Sequence, residues 1–522
     1  MPLPHPDPRA RDITHRRALT VLGAATALRL LTAALLPLGV DESYEAVIAR
    51  TLSASYFDHP PAVFWITHAA AAIGGESPFV LRLPFVLLFV ATSWLLYRLG
   101  ARLFGERAGL WTLAVAQVMP VFGFSSGGWV LPDGPLLCAT AAAALAFAHA
   151  VPVSAGNGRE PARHGPWTAW LALGIALGAA GLSKYHAALL GAGLLAFVAT
   201  DARARRWLRH PAPYVAIGIA LACVIPVFTW NAQHDWISFR FQSGRAAGRT
   251  TPVVSLLQNL AGQAGYLMPW FWVPTIAVLA KALRAGPASR TTWLCVCLGF
   301  PPVLVFTLAA LGGHPGLPHW PAPGYLLLLP LLGAAIARWE ERAPALARRW
   351  MMRAAAVYVT LVTIVVSHAA TGWVASLVPS LHRRDPAFEL LTYRALKDSL
   401  ERDGTLQRAS YVAVTDWIRG SKVGYALGPA HPIVLLNQDT RHFRFAGGLD
   451  TLPGRRGLML MAVPKGFSTV EMWDRAYPLV SMFDTLRFVR MLPVLRGRDT
   501  AVTMAVFETS NLRRTWPVPP AR

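Results

Sequence analysis

Charge is scarce in this chain, and acid scarcest. There are 27 Asp and Glu against 49 Lys and Arg in 522 residues, and 15% of residues are charged, where a soluble globular protein carries about 25%. That deficit argues against a soluble domain. Cysteine is rarer still, at four residues. Cys138, Cys223, Cys295 and Cys297 all fall in apolar stretches, and none makes a CxxC pair, so they read as small packing residues and the polar tail has no disulfide to staple it. No internal repeat is visible, whereas transporters are commonly built from paired repeats. The N-terminus "MPLPHPDPRARD" has no cleavable signal pattern, so the first apolar run reads as a retained signal-anchor.

What the chain does have is apolar length. Hydrophobic residues make up 54% and mean hydropathy is +0.40. Runs near the ~20 residues that a helix needs to cross a bilayer recur at 18–38, 80–100, 108–124, 134–152, 167–182, 184–200, 212–230, 261–281, 291–311, 320–338 and 354–376. This predicts a polytopic membrane protein of about 11 spans. The net charge of +22 points to topology rather than to nucleic acid. With the N-terminus in the cytoplasm and residues at span ends included, that side holds 21 Lys and Arg, against five on the other, Arg50, Lys184, Arg240, Arg245 and Arg249, with Arg82 at a span boundary left out. Such an excess marks the cytoplasmic side; attraction to anionic lipid is the lesser reading.

Two domains are predicted: a helical membrane domain over 1–378 and a more polar one over 379–522. In the second, "YVAVTDW", "HPIVLLN", "GLMLMAVP" and "AVTMAVFETS" read as short buried strands. "DWIRGSKVGYALGP" reads as a helix with Asp416 near its start and Gly-Pro after its end. This is a small α/β domain, and eleven spans would put it outside the cytoplasm. Residues 154–166 read as a cytoplasmic linker.

The few acids are concentrated. "VDESYEAV" puts Asp41, Glu42 and Glu45 within five residues, and "SYFDHPPAVFW" sets Asp58 and His59 against two prolines. The same predicted outer side receives Glu76, Asp133 of "LPDGP", Lys184, Tyr185 and His186 of "LSKYH", His234 and Asp235, and His314, His319 and Trp320. Each has a structural alternative. Glu42 and Glu45 would lie on a solvated helix face. Asp58 would cap a helix beginning at Pro60–Pro61. Asp133 would be a turn residue, Lys184 would snorkel from a helix end, His234 would be a surface histidine, and His319–Trp320 would anchor at the interface. Taken together, paired carboxylates suit proton abstraction from a hydroxyl or a divalent metal. A cation on the same face suits a phosphate. The combination fits group transfer from a lipid-phosphate donor at the membrane surface.

"GVDESYEAVIA" followed by "YFDHPPAVFW" resembles the first outer loop of bacterial integral-membrane glycosyltransferases of the GT-C fold, families 39 and 83. That group includes protein O-mannosyltransferases and the aminoarabinose transferase that modifies lipid A. "LPDGPL", "GLSKYHAAL", "WNAQHDWISFRFQ" and "HPGLPHWPAPGYL" resemble later landmarks, and "GSKVGYALG…VLLNQD" resembles the family's C-terminal domain. The resemblance implies a GT-C type all-α membrane domain with a C-terminal α/β extracytoplasmic domain. It also implies transfer of a sugar, with inversion, from a polyprenyl-phosphate donor to a cell-envelope acceptor at the periplasmic face of the inner membrane. The acceptor would be lipid A or another glycan or glycolipid, and less readily a protein.

In this chain Asp41 would be the catalytic base or orient the acceptor, accompanied by Glu42. Asp58 would bind metal or place the acceptor, with His234 as its tentative metal partner. Asp133 matches an acid of a second active loop. Lys184 matches a basic residue near the donor phosphate. His59, Tyr185, His234, His319 and Trp320 complete the substrate-binding set. His59 stands where the lipid A enzyme often has Lys, a departure that bears on donor and acceptor identity. A divalent cation is the one cofactor in view, with no nucleotide, redox group or nucleic acid. The rival reading is a transporter or flippase of lipid-linked saccharides.

Overall fold

The computed structural model describes residues 8–153, 166–244, 250–378, 380, 385–446, 451–463, 468–497 and 499–513. The expected linker at 154–166 lies almost wholly outside these, as do Arg245 and Arg249. The chain divides into two compact units, one of 1–31, 54–63 and 82–360, the other of 32–53, 64–81 and 361–522. The unit that holds the C-terminal tail thus also takes in the first acidic segment and part of the helix after "DHPP".

The fold is a polytopic helical membrane domain with a small C-terminal α/β sheet domain. Among the described residues seven helices are long and apolar enough to cross a membrane: Asp12–Leu35, Pro78–Phe104, Asp133–Ala150, Ala212–Gln233, Arg290–Gly312, Ala322–Arg342 and Pro344–Thr371. Each of the eleven expected spans overlaps a helix, but four differ from a single straight crossing. Glu106–Val118 is 13 residues long and gives way to a π-helical turn at Val121–Ser125. Trp167–Ser183 and Ala187–Thr200 are short apolar helices, broken at Lys184–His186, so the expected 184–200 span starts three residues late. The expected 261–281 span is two helices, Pro252–Leu267 and Pro269–Ala285, bent by 109°. Pro269 removes an N–H and favours a helix start. Met268 before it takes φ 67, outside the helical region.

Several polar groups inside the first unit pair with one another, which offsets the cost of burying them in a membrane interior. The Asn259 amide donates to Pro315 O at 2.6 Å. The Gln263 amide donates to the Thr307 hydroxyl at 3.1 Å, and Trp272 Nε1 donates to the Tyr325 hydroxyl at 2.9 Å. Arg290 clamps Asp201 at 2.6 and 3.0 Å and donates to Pro152 O.

In the second unit a five-stranded sheet has the order β2-β1-β3-β5-β4, with β1 Val412–Val414, β2 Ile433–Leu435, β3 Arg456–Val463, β4 Phe483–Arg496 and β5 Asp499–Leu512. β1 runs parallel to β2 and β3, while β5 is antiparallel to β3 and β4. Four of the strands correspond to the expected ones; β4 does not. It is one of the two edge strands, it carries Arg487, Arg490 and Pro493, and its burial is irregular. Edge positions tolerate charge and proline, which is why it lacks a strand signature. The expected helix is Trp417–Leu427. The Asp416 carboxylate accepts the Arg419 N–H, and Gly428 takes φ 83 at its end, a conformation that suits glycine. Tyr411, Met459, Met461, Met472 and Phe507 fill the core.

Candidate functional site

In the second unit, helix Val40–Ile48 carries Asp41, Glu42 and Glu45. Acids in a first turn face the partial positive charge of the helix N-terminus. Asp41 is exposed, while Glu42 is fully buried, and its Oε2 accepts the Gly39 N–H at 2.8 Å, closing the first turn. Glu42 and Glu45 both correct an expectation: they are buried, at 0% and 2% exposure, rather than on a solvated face. The helix packs against Trp417–Leu427. Tyr44 lies on Trp417 and Phe443 with ring centroids 5.8 Å apart, and its hydroxyl accepts the His442 N–H at 3.0 Å.

Two residues outside the sequence-based set, Lys422 and Glu389, lie in the same unit, and Glu389 feels the charge of Asp41. Lys422 is buried and donates to Leu38 O at 2.6 Å and Glu389 O at 3.2 Å. The Glu389 carboxyl is pushed above its ordinary range by the protein around it, then by the negative charge of Asp41, with Lys422 opposing. The Glu389 side chain is nonetheless largely exposed, which limits the size of the effect. A lysine inside "GSKVGYALG" was the available signal, but helical spacing alone does not bring it to Leu38 and Glu389.

The first unit gathers most of the other candidates. Asp133 heads helix Asp133–Ala150. Lys184 lies in the break between the two short apolar helices. Its ammonium donates to both Asp133 oxygens, at 3.0 and 2.9 Å. Both side chains are nearly inaccessible, at 5% and 3% exposure, so neither a snorkelling lysine nor a plain turn aspartate describes them. Asp133 also feels the charges of His319 and His186, and His186 those of Lys184 and His59. The His186 ring stacks on Phe306 at 4.5 Å, which in turn packs on Trp320 at 5.7 Å. Tyr185 packs on Phe239 at 5.0 Å, with its phenol oxygen toward Ser238 and Asn231 and within the field of Asp58. Asp58 is buried; the amide of Gln242 donates to its backbone carbonyl, and the Ser238 hydroxyl donates to Tyr56 O at 3.0 Å. The helix after it begins at Ala62, past both prolines.

His59, next along the chain from Asp58, is half-buried. His234 lies over Trp230 with ring centroids 4.1 Å apart, and its Nδ1 hydrogen-bonds Trp230 O at 2.7 Å. Among the described residues no group of three or more His, Cys, Asp or Glu is arranged to hold a metal ion. Asp58 and His234, the expected metal pair, therefore belong to no such group.

Through the solved structures it resembles, this chain has the GT-C fold: a helical membrane domain and a small C-terminal α/β sheet domain. The family model described as dolichyl-phosphate-mannose-protein mannosyltransferase matches residues 58–230. The structure is similar to ArnT from Cupriavidus metallidurans bound to undecaprenyl phosphate, with TM-score 0.63 and 16% identity over 96% of this chain and 99% of that one. It is also similar to the same protein in the apo state, with TM-score 0.61 and 16% identity over 94% and 97%. No curated protein matches the sequence.

Proposed function

We propose that the protein is an inverting glycosyltransferase that moves a sugar from a polyprenyl-phosphate donor to a cell-envelope acceptor. The observation that carries this reading is the buried Lys184–Asp133 pair with its histidine surround. A lysine has three N–H donors. Two hydrogen bonds go to Asp133, leaving one N–H for a phosphate oxygen. As the sugar–phosphate bond breaks, negative charge grows on the departing polyprenyl phosphate, and a fixed cation there lowers the barrier. Asp133 holds the ammonium in place.

Asp41, in the second unit, is assigned the part of base on the resemblance of "VDESYEAV". An exposed carboxylate can take the proton of an incoming hydroxyl as its oxygen forms a bond to the anomeric carbon. Displacement in one step inverts that centre. Glu42, with its first-turn hydrogen bond, fixes the turn that presents Asp41. His59, Tyr185, His319 and Trp320 supply polar and aromatic surface for the sugar and acceptor. Similarity in fold to a protein bound to undecaprenyl phosphate supports a polyprenyl-phosphate donor. The charge asymmetry of the segments between spans supports an active face on the periplasmic side of the inner membrane. A lipid A or other glycolipid or glycan acceptor fits a site at membrane level better than a folded protein does.

The test is mass spectrometry of envelope lipids and glycans from a deletion strain carrying the wild-type gene, the Asp41→Asn variant or neither. A sugar increment present only with the wild type is the expected result. Identical envelopes in all three contradict the reading. The helix pair bent by 109° is a feature shared with transporters, whose sites use broken helices. Counterflow of a lipid-linked saccharide without any new glycosidic bond would favour that reading.

A further inference from the structure

A cavity of about 430 Å³ in the second unit takes no part in the chemistry above. One wall is apolar. It is formed by Leu35, Leu36 and Pro37, where the first long helix ends, and by Pro78, where the next long apolar helix begins. Leu35 is 58% exposed. Arg394 and Lys422 also line the cavity. These helix ends put the cavity at the level where hydrocarbon gives way to headgroups.

The charges in it are unevenly matched. Glu76, also in the lining, is held by both guanidinium nitrogens of Arg50 at 2.8 and 2.7 Å, so its charge is met. Lys422 is bonded to two carbonyls and lies within the field of Glu389, which itself feels Asp41. Arg394 is exposed, and among the described residues its guanidinium pairs with no carboxylate. The cavity therefore joins an uncompensated, bidentate-capable cation to an apolar wall at membrane level.

We infer that this cavity binds an anionic membrane phospholipid, with its phosphate against Arg394 and its glycerol and first acyl carbons along Leu35, Leu36 and Pro78. The volume lies within the usual range for small-molecule sites. The inference does not rest on the transferase reading, and its test involves no turnover. The detergent-purified full chain is titrated with phosphatidylglycerol, with phosphatidylcholine of the same acyl chains, and with glycerol 3-phosphate, and the first adduct is followed by native mass spectrometry. Phosphatidylglycerol should bind about fivefold tighter than phosphatidylcholine, the size of one basic contact. Arg394→Gln, at an exposed position, should erase that preference. Ala426→Trp, which fills the cavity and keeps its charges, should weaken both lipids. A preference that survives Arg394→Gln overturns the inference. So does glycerol 3-phosphate displacing phosphatidylglycerol at equal concentration, which would mark a site for free phosphate with no use for the apolar wall.

Discussion

At Lys184 a full positive charge and a full negative one are held out of water, bonded twice to each other. Removing one member of such a pair leaves an uncompensated buried charge, a loss of about 3–5 kcal/mol, whereas removing both costs much less. Lys184→Ala should therefore lower the melting temperature in detergent sharply, and Lys184→Ala with Asp133→Ala should recover most of the loss. Equal losses in the single and double variants would show the pair to be uncoupled. Glu389 gives a test in pH. Its carboxyl titrates above its ordinary value near 4.5, so the folded state holds that proton more tightly than the unfolded one. The stability this contributes is present below the ordinary value and fades as pH rises through the folded one. Glu389→Gln should accordingly gain on the wild type as pH climbs from about 4 toward neutrality, read from denaturation midpoints across that window. Asp133 and Lys184 were legible in the sequence as candidates because charge inside apolar surroundings is costly. Their pairing was not, since 51 residues separate them, and neither were the parts played by Lys422 and Glu389.

Helices were legible wherever an apolar run was long, because a bilayer tolerates few backbone solutions. The break at Met268 was not, and the reason is specific. Pro226, Pro301, Pro302 and Pro330 lie inside continuous helices, so Pro269 alone did not mark a bend. The helix Trp417–Leu427 was legible through Asp416 and Gly428. The charged edge strand β4 was hidden. Two substitutions test the capping and packing of the helix Trp417–Leu427. Asp416→Ala removes the acceptor of the Arg419 N–H and should cost about 0.5–2 kcal/mol. Gly424→Val introduces a Cβ 2.9 Å from Ile433 and 3.3 Å from Val47. It should cost about 1–3 kcal/mol by overpacking and loosen helix Val40–Ile48, which carries Asp41. Protease resistance and thermal melts of the two variants provide the check; an unchanged Gly424→Val protein would contradict the close approach of these helices.

Over the whole molecule, the distribution of basic residues in sequence predicts an orientation. Leu52 is exposed in the segment assigned to the non-cytoplasmic side. A Leu52→Cys variant lacking the four native cysteines should react with an impermeant maleimide in intact spheroplasts. Labelling only after lysis would reverse the topology. The most direct measurement of the central claim is transfer in proteoliposomes. Purified protein is supplied with a radiolabelled polyprenyl-phosphate sugar and envelope lipid extract. The account predicts label in a new glycosidic product together with free polyprenyl phosphate from the wild type, and at least about a hundredfold less from Asp41→Asn. Label that crosses the membrane still attached to its carrier, or an Asp41→Asn protein as active as the wild type, would contradict it.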